Sequence, residues 1–322
     1  MEAHFLALLE IKGLKVGFKT QAGLVHAVDE IDLSLVQGEI VGLAGESGSG
    51  KSTLGYSIMK ILPRNALVQG SINFDGIELL TLTQSKLEEI RGKRIAMVFQ
   101  GSMNSLNPLM RVEEQVAEPM ILHQQANEKQ AVVEARNLLE LVGVDKEKGR
   151  HYPHELSGGL KQRVAIAMAL STHPALLIAD EPTTALDVMT QAQIMRLLGR
   201  IRDEFKITIL MISHDLALLS ETCDRLILMY AGKIAEIGSR DQIVRNPRHP
   251  YTQGLLGSIP SVRNIGRASS SIPGDPPDPL NPPAGCRFKP RCSFAKDVCS
   301  TFEKGPLYVE DGHYAACVLV GG

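Results

Sequence analysis

The sequence predicts an α/β fold with a mostly parallel core sheet, an antiparallel β region, an inserted helical subdomain and a small cysteine-containing C-terminal extension. Short apolar runs alternate with helical patterns along most of the 322 residues, as is typical of parallel α/β proteins. A glycine-rich loop separates one such run from the helical pattern that follows it. Hydrophobic residues make up 44% of the chain and charged residues 22%, a balance that indicates a globular protein with a sizeable core.

The predicted strands of the parallel sheet each end beside residues that suit ligand binding. The first strand, 39–44, leads through glycines into a helix predicted over 51–62. Three further strands are predicted over 94–99, 175–179 and 207–212. They are followed directly by Gln100, by Asp180, and by Ser213 with His214. Because ligands bind at the carboxyl ends of strands in an open parallel sheet, these polar residues are candidates for one site.

A helical segment interrupts this alternation of strands and helices. No β-like run occurs between Gln100 and Ser157, and residues 128–142 carry apolar side chains at helical spacing. We therefore expect an inserted helical subdomain over about residues 101–170.

A hairpin is expected to close the first domain. Its strands, 225–229 and 233–237, flank a Tyr-Ala-Gly turn. The sequence thus divides into a first domain, 1–240, and a C-terminal extension, 241–322. Within the extension, residues 268–285 are rich in Ser, Pro and Gly and predict an extended linker with little helix.

Charge and hydropathy argue against several classes of protein. The formal net charge of −2 gives no basic excess, so the overall charge does not indicate a nucleic-acid-binding or anionic-lipid-binding surface and leaves only a local basic patch as an alternative. The N-terminus lacks the basic flank and cleavage site of a signal peptide, and no apolar run approaches the ~20 residues that cross a bilayer. A cytosolic protein is expected. Four of the five cysteines crowd together after residue 285, which in the cytosol indicates a metal rather than disulfides.

The glycine-rich loop over residues 45–52 matches the pattern G-x-x-x-x-G-K-[ST] at every fixed position. In such a loop, backbone N–H groups and the following helix N-terminus surround phosphate oxygens. Lys51 is expected to reach the β and γ phosphates, and Ser52 to bind Mg²⁺. The alternative is a glycine-rich turn without a ligand. The predicted nucleotide-binding residues here are Gly45, Ser47, Gly48, Gly50, Lys51, Ser52 and Thr53.

Two carboxylates follow the third predicted strand. Asp180 suits a role in holding Mg²⁺, and Glu181 suits a role in orienting or deprotonating an attacking water. Alone, such a pair is commonly a solvated turn or a helix cap, but the phosphate loop favours the catalytic interpretation. Gln100 and His214 taken singly also have ordinary explanations, as a surface residue and as part of a helix cap. Phe18 is predicted either to stack on adenine or to pack in the core.

The segment 156–162, Leu-Ser-Gly-Gly-Leu-Lys-Gln, resembles the signature loop of ABC ATPases, a family with the P-loop NTPase fold. The phosphate loop, Gln100, Asp180 with Glu181, Asp187 and His214 occur in the order of that family. The resemblance implies a head-to-tail dimer in which Ser157 and Gly159 contact ATP held by the partner. It further implies that Glu181 is the general base, that His214 stabilises the γ-phosphate and that Asp187 communicates across the dimer. Gln100 would contact Mg²⁺ and couple nucleotide to membrane subunits. Leu160 and Phe18 depart from the residues most common in the family.

Two segments of the extension are similar to the C-terminal region of dipeptide and oligopeptide permease ATPases. They are 249–252, His-Pro-Tyr-Thr, and 285–292, Gly-Cys-Arg-Phe-Lys-Pro-Arg-Cys. Four thiolates suit a [4Fe-4S] cluster or tetrahedral zinc, and unligated thiols are a third alternative. The candidate cluster ligands are Cys286, Cys292, Cys299 and Cys317. Cys223 stands apart and is expected to be a small buried residue.

These features predict the ATP-binding and hydrolysing subunit of an ABC importer for dipeptides and oligopeptides, with ATP, Mg²⁺ and a [4Fe-4S] cluster as cofactors. The resemblance implies a location on the cytoplasmic face of the inner membrane and a second ABC ATPase as partner, giving a heterodimer. It also implies two transmembrane permease subunits and an extracytoplasmic solute-binding protein, and no nucleic acid. Alternatives are an importer of another solute such as a metal chelate, and an ABC ATPase of DNA maintenance. The tail is alternatively a docking module for the partner ATPase.

Overall fold

The computed structural model describes residues 7–259, 272–302 and 305–320, and within these ranges strands alternate with helices as predicted. In chain order the strands are β1 (Ala7–Thr20), β2 (Gly23–Val36), β3 (Ile40–Ala44), β4 (Ala66–Phe74), β5 (Ile77–Glu78), β6 (Ile95–Val98), β7 (Leu176–Asp180), β8 (Thr208–Ser213), β9 (Arg225–Tyr230), β10 (Lys233–Ser239), β11 (Leu307–Glu310) and β12 (His313–Ala315). The helices are α1 (Lys51–Ile58), α2 (Gln84–Glu88), α3 (Val112–Leu122), α4 (Glu128–Leu141), α5 (Gly158–Leu170), α6 (Val188–Phe205), α7 (Leu216–Thr222), α8 (Arg240–Arg245) and α9 (Pro250–Ser258).

The chain forms two compact units. The first comprises Val36–Ile40 and Thr81–Ile212, and the second comprises Ala7–Leu35, Val41–Leu80 and Ser213–Gly322. In the first unit β6, β7 and β8 pair in parallel. Nearly every residue of these three strands is buried, which explains why they appear in the sequence as continuous apolar runs.

The inserted helical subdomain predicted in the first unit is confirmed. Helix α3 packs against α4 and α5, and the buried residues of α4 recur at helical spacing on one face. A capping box begins α4, because the side chain of Asn127 accepts the N–H of Gln130 and the Gln130 side chain reaches back to the N–H of Asn127.

The second unit contains the predicted antiparallel β region and the glycine-rich loop. An antiparallel sheet has the order β2-β1-β4-β5. Separately, β3 pairs in parallel with β9, and β9 forms the predicted hairpin with β10. Strand β12 then pairs with both β10 and β11.

The helix predicted over 51–62 is shorter in the structure. Helix α1 ends at Ile58, and Lys60 adopts a left-handed φ of 50°. Pro63 accounts for the far limit alone, since a proline disfavours helical backbone at the residue before it, here Leu62.

The predicted linker is only partly described, because residues 268–271 lie outside the described ranges. Residues 272–285 contain neither helix nor strand, which agrees with the prediction. The N-terminal residues 1–6 also lie outside. In the part of the chain that the structure describes, no helix combines the length and the hydropathy of a membrane-spanning segment.

Candidate nucleotide-binding site

The glycine-rich loop joins β3 to α1 and depends on its glycines. Gly45 and Gly50 have φ angles of 154° and 99°, in a region that other residues rarely adopt. A Cβ atom at Gly45 would lie 2.2 Å from the carbonyl oxygen of Met229, and one at Gly50 would lie 2.2 Å from that of Ala27. Neither position can accept a side chain without moving the backbone around it.

Lys51 places a positive charge inside this loop. Its Nζ donates to the carbonyl oxygens of Gly45 and Glu46, each at 2.8 Å, and to Oγ of Ser49 at 3.3 Å. The residue is buried, and α1 begins at the same point with no acidic residue in its first turn. An ammonium group and a helix N-terminus therefore coincide, which makes the loop a binding site for anions.

The other predicted residues of this loop occupy its tip and the first turn of the helix. Ser47 and Gly48 are exposed, whereas Ser52 and Thr53 are half-buried on α1. The hydroxyl groups of Ser52 and Thr53 thus lie at the start of the helix.

The two predicted carboxylates lie in the first unit, in different environments. Asp180 is the last residue of β7 and is fully buried. Glu181 is half-buried and has a left-handed φ of 48°. Its N–H donates to the carbonyl oxygen of Ile212 at 2.9 Å, and its Oε2 accepts the hydroxyl of Thr184 at 2.7 Å. Strained backbone of this kind persists where surrounding contacts hold it, often at functional sites.

The signature loop and Asp187 are brought together in the first unit. Ser157 is the exposed N-cap residue of α5, and its side chain makes no capping hydrogen bond. A Cβ atom at Gly159 would lie 2.9 Å from Cγ2 of Thr190. The N–H and hydroxyl of Thr190 donate to the carboxylate of Asp187 at 3.0 and 2.6 Å. These bonds, chiefly the one from the hydroxyl, hold the pKa of Asp187 below its ordinary value, so it is ionised at neutral pH.

The remaining predicted residues lie at strand ends. Gln100 is exposed beyond the end of β6, in the first unit. His214 is exposed directly after β8, and the cap of α7 is made by Asp215, whose carboxylate accepts two backbone N–H groups. Phe18 is half-buried near the end of β1, opposite Ala66 of β4. Phe18, His214 and the glycine-rich loop belong to the second unit.

Sequence reasoning missed three residues, one within the loop and two in contact with it. The carboxylate of Glu46 accepts two hydrogen bonds from the guanidinium of Arg291, at 2.7 and 3.1 Å. The backbone N–H of Glu46 donates to Oη of Tyr251 at 2.9 Å. Glu46 occupies a variable position of the loop pattern. Tyr251 and Arg291 lie within the two segments of the extension that resemble peptide-permease ATPases. That resemblance was the one signal in the sequence that indicated a role for them.

The four cysteines of the extension line one small cavity, which they share with His249, Phe288 and Phe294. None of the five cysteines is in a disulfide. Burial raises the pKa of the Cys286, Cys292 and Cys317 thiols. Within residues 7–259, 272–302 and 305–320, no group of three or more His, Cys, Asp or Glu side chains is arranged to hold a metal ion. Cys223 is buried apart from this cavity, as predicted.

Burial lowers the pKa of His249, which lines the same cavity, to about 4. The imidazole is therefore neutral at pH 7, and its Nδ1 accepts the backbone N–H of Tyr251 at 3.0 Å. This hydrogen bond fixes the start of α9 and with it the position of the Tyr251 ring.

Two family models match the chain. Residues 28–184 match the model described as ABC transporter, and residues 235–299 match that of the oligopeptide/dipeptide transporter C-terminal region. The chain is 46% identical over 297 residues to the oligopeptide transport ATP-binding protein OppD of Escherichia coli, covering 92% of this chain and 88% of that protein. It is 44% identical over 318 residues to OppD of Bacillus subtilis, covering 97% and 89%.

A solved structure is also similar. It is the dimeric, post-hydrolysis state of an ATP-binding cassette bound to ADP and Pi, with a TM-score of 0.65 and 30% identity. The match covers 72% of this chain and 98% of that one.

Proposed function

The chain belongs to the ABC transporter family, in the branch with the oligopeptide/dipeptide C-terminal region, and we propose that it is the ATP-hydrolysing subunit of a peptide importer. The relatives named as oligopeptide transport ATP-binding proteins resemble it over more than nine-tenths of its length, which supports dipeptides and oligopeptides as the transported solutes. We retain the predicted division into a nucleotide-binding domain, 1–240, and an extension, 241–322.

The geometry of the glycine-rich loop is the observation that carries nucleotide binding. Lys51 and the backbone N–H groups around it would bind the β and γ phosphates of ATP. The buried carboxylate of Asp180 and the hydroxyl of Ser52 are hard oxygen donors of the kind that Mg²⁺ prefers, and with Gln100 they would hold this ion. Bound Mg²⁺ would neutralise charge on the phosphates.

Hydrolysis is assigned to the residues that follow β7 and β8. Glu181 would orient the attacking water and accept its proton, helped by the hydrogen bond that fixes its carboxylate. His214 would stabilise charge on the γ-phosphate, and Phe18 would pack against adenine.

We further propose that the motor is a dimer. The exposed N-terminus of α5, with Ser157 and Gly159, would contact ATP held by a partner subunit. Asp187 would communicate between the two subunits of the dimer. The similarity to a dimeric ATP-binding cassette supports this arrangement. The partners would be a second ABC ATPase, two transmembrane permease subunits and an extracytoplasmic solute-binding protein, with the chain on the cytoplasmic face of the inner membrane.

The four tail cysteines are proposed to hold a [4Fe-4S] cluster. In such a cluster each thiolate binds a different iron, so the ligands surround a volume instead of converging on one ion. The lining of one cavity by Cys286, Cys292, Cys299 and Cys317 fits this donor set better than it fits a single zinc ion. Protein purified without oxygen should contain iron, acid-labile sulfide and a visible band that bleaches on reduction. Zinc, or no metal, would refute the proposal.

Reconstitution of the complete transporter in vesicles tests the function. Vesicles containing the chain, its partners and ATP should accumulate a labelled tripeptide that the solute-binding protein delivers, and Lys51→Ala should abolish both uptake and ATP hydrolysis. Hydrolysis that proceeds without uptake of any dipeptide or oligopeptide would contradict the substrate class while leaving the ATPase assignment intact.

A further inference from the structure

The C-terminal extension contacts the glycine-rich loop through Arg291. This guanidinium is buried, with 7% of its side chain exposed, and it forms a two-bond ion pair with Glu46. It also donates to the hydroxyl of Tyr230 at 3.2 Å and lies over that ring, 5.7 Å from its centroid. A bidentate arginine in a packed environment fixes the orientation of its carboxylate partner.

Glu46 forms part of the wall of the loop. Its carbonyl oxygen accepts Nζ of Lys51 at 2.8 Å and the backbone N–H of Ser49 at 3.2 Å. Any rotation of the Glu46 backbone would therefore displace the ammonium group and the N–H groups expected to bind phosphate.

A second group from the extension contacts the backbone of the same residue. Tyr251 is fully buried, and its hydroxyl accepts the N–H of Glu46. Its ring packs against Tyr230, with centroids 4.7 Å apart, and against Phe288, with centroids 5.5 Å apart. Because these contacts fix the ring, they fix the position of the hydroxyl that meets the loop.

The proline-rich segment completes the surroundings of the loop. One recess is lined by residues of the loop together with residues of the extension between Pro276 and Arg287. The loop residues are Glu46, Ser47, Gly48 and Ser49. The carbonyl oxygen of Pro273 accepts Nε of Arg291 at 2.8 Å. The arginine is thus itself held in place.

From these contacts we infer that Arg291 and Tyr251 are positioning residues for ATP: they clamp Glu46 so that the glycine-rich loop keeps the conformation that binds phosphate. The inference rests on the proposed ATP binding and assigns a part of that site to the extension. A loop that already has its binding conformation loses less entropy when it binds phosphate. If fewer molecules hold that conformation, the apparent affinity for the nucleotide falls by the same factor.

Binding of a non-hydrolysable ATP analogue with Mg²⁺, measured by calorimetry on the full-length chain, tests the clamp. Arg291→Met and Glu46→Gln should each weaken the affinity, by about tenfold, a size usual for coupled sites. Because both variants break one ion pair, the double variant should be no weaker than the weaker single variant. Arg291→Lys should bind the analogue more tightly than Arg291→Met but less tightly than the wild type, since lysine keeps the charge but loses the bidentate geometry.

The sign of the Glu46→Gln effect separates positioning from simple charge. If Glu46 and Arg291 acted only through space on the phosphates, removing the negative charge would tighten binding and removing the positive charge would weaken it. Positioning predicts weaker binding in both variants. Opposite signs would overturn the inference.

A second arginine–glutamate pair, in the first unit, controls for the loss of an ion pair as such; its arginine is more exposed, at 34% of the side chain, and its glutamate is buried. Arg136 also donates two hydrogen bonds to one carboxylate, from Nε and Nη2 to Glu113, at 2.8 and 3.2 Å. Arg136→Met should lower thermal stability and leave nucleotide affinity unchanged, whereas Arg291→Met should change the affinity. If Arg291→Met does not fold, then Glu46→Gln and Tyr251→Phe carry the test, since each removes a polar contact without reducing packing.

The outcomes also separate this inference from the proposed function. If the wild-type chain binds no nucleotide, the proposed function fails. If the wild-type chain binds and the Arg291, Glu46 and Tyr251 variants all bind within about twofold of it, only the clamp is refuted.

Discussion

A buried carboxylate in the second unit allows a stability prediction with an internal control. Glu236 on β10 and His313 on β12 are both fully buried. Oε1 of Glu236 accepts the backbone N–H of Arg248 at 2.7 Å and lies 2.7 Å from Nε2 of His313. Oε2 accepts the backbone N–H of His249 at 2.9 Å. One side chain thus satisfies donors from two other segments of the chain.

Replacing this carboxylate by an apolar side chain should be costly. Glu236→Leu would leave two backbone N–H groups and one imidazole nitrogen without their acceptor. A buried donor without a partner costs about 1–3 kcal/mol, and at least two donors would lose their partner here. We therefore expect the free energy of unfolding to fall by about 4 kcal/mol or more. Glu236→Gln keeps one acceptor oxygen and should cost roughly half as much. The free energy of unfolding of each variant is measured by urea unfolding, monitored by far-UV circular dichroism.

A second carboxylate beside the same histidine supplies the control. Glu310 lies 3.4 Å from Nδ1 of His313, but its side chain is 48% exposed. Polar contacts of an exposed carboxylate contribute about 0–1 kcal/mol, so Glu310→Gln should change the unfolding free energy little. A cost below ~1 kcal/mol for Glu236→Leu, or equal costs for the two glutamates, would refute the argument from burial.

Three further outcomes are expected. Gly50→Ala should abolish nucleotide binding, because the added Cβ atom would meet the carbonyl oxygen of Ala27. Gly38→Ala is the control, since Gly38 also has a positive φ but has open space around it, and binding should stay intact. Equal affinities of the two variants in calorimetry would contradict this prediction. Glu181→Gln should retain binding of Mg²⁺-ATP and lose turnover, and unchanged hydrolysis would remove Glu181 from the role of base. The specific activity of the isolated chain should rise with its concentration, since Ser157 acts on a partner's nucleotide, and constant activity on dilution would argue against the dimer.

The parallel strands were predictable because burial imposes their composition. Strands β6, β7 and β8 lie within two residues of their predicted limits, and each contains four consecutive apolar residues. Strands β1 and β2 gave a weaker signal, because exposed and half-buried positions interrupt their buried ones. Their pairing partners could not be predicted, since register depends on contacts between distant segments.

The same contrast holds in the candidate site. The glycines and Lys51 form a local pattern whose chemistry follows from spacing alone, and the structure gives them the conformation that this chemistry requires. The clamp on Glu46 joins residues 245 positions apart, and no pattern in the sequence pairs them. The left-handed backbone of Glu181 was equally unpredictable, because only its surroundings hold it there.

The proline-rich segment shows how composition and structure together determine a role. The carbonyl oxygen of Pro279 accepts the backbone N–H of His26 on β2 at 2.9 Å, and that of Pro273 accepts Nε of Arg291. A proline offers a carbonyl acceptor but has no N–H group, so such a segment can pair with a strand and an arginine while adding few donors of its own. Its restricted φ also reduces the entropy lost when the segment is ordered. The composition that predicts an extended linker therefore suits a segment that holds Arg291 against the glycine-rich loop.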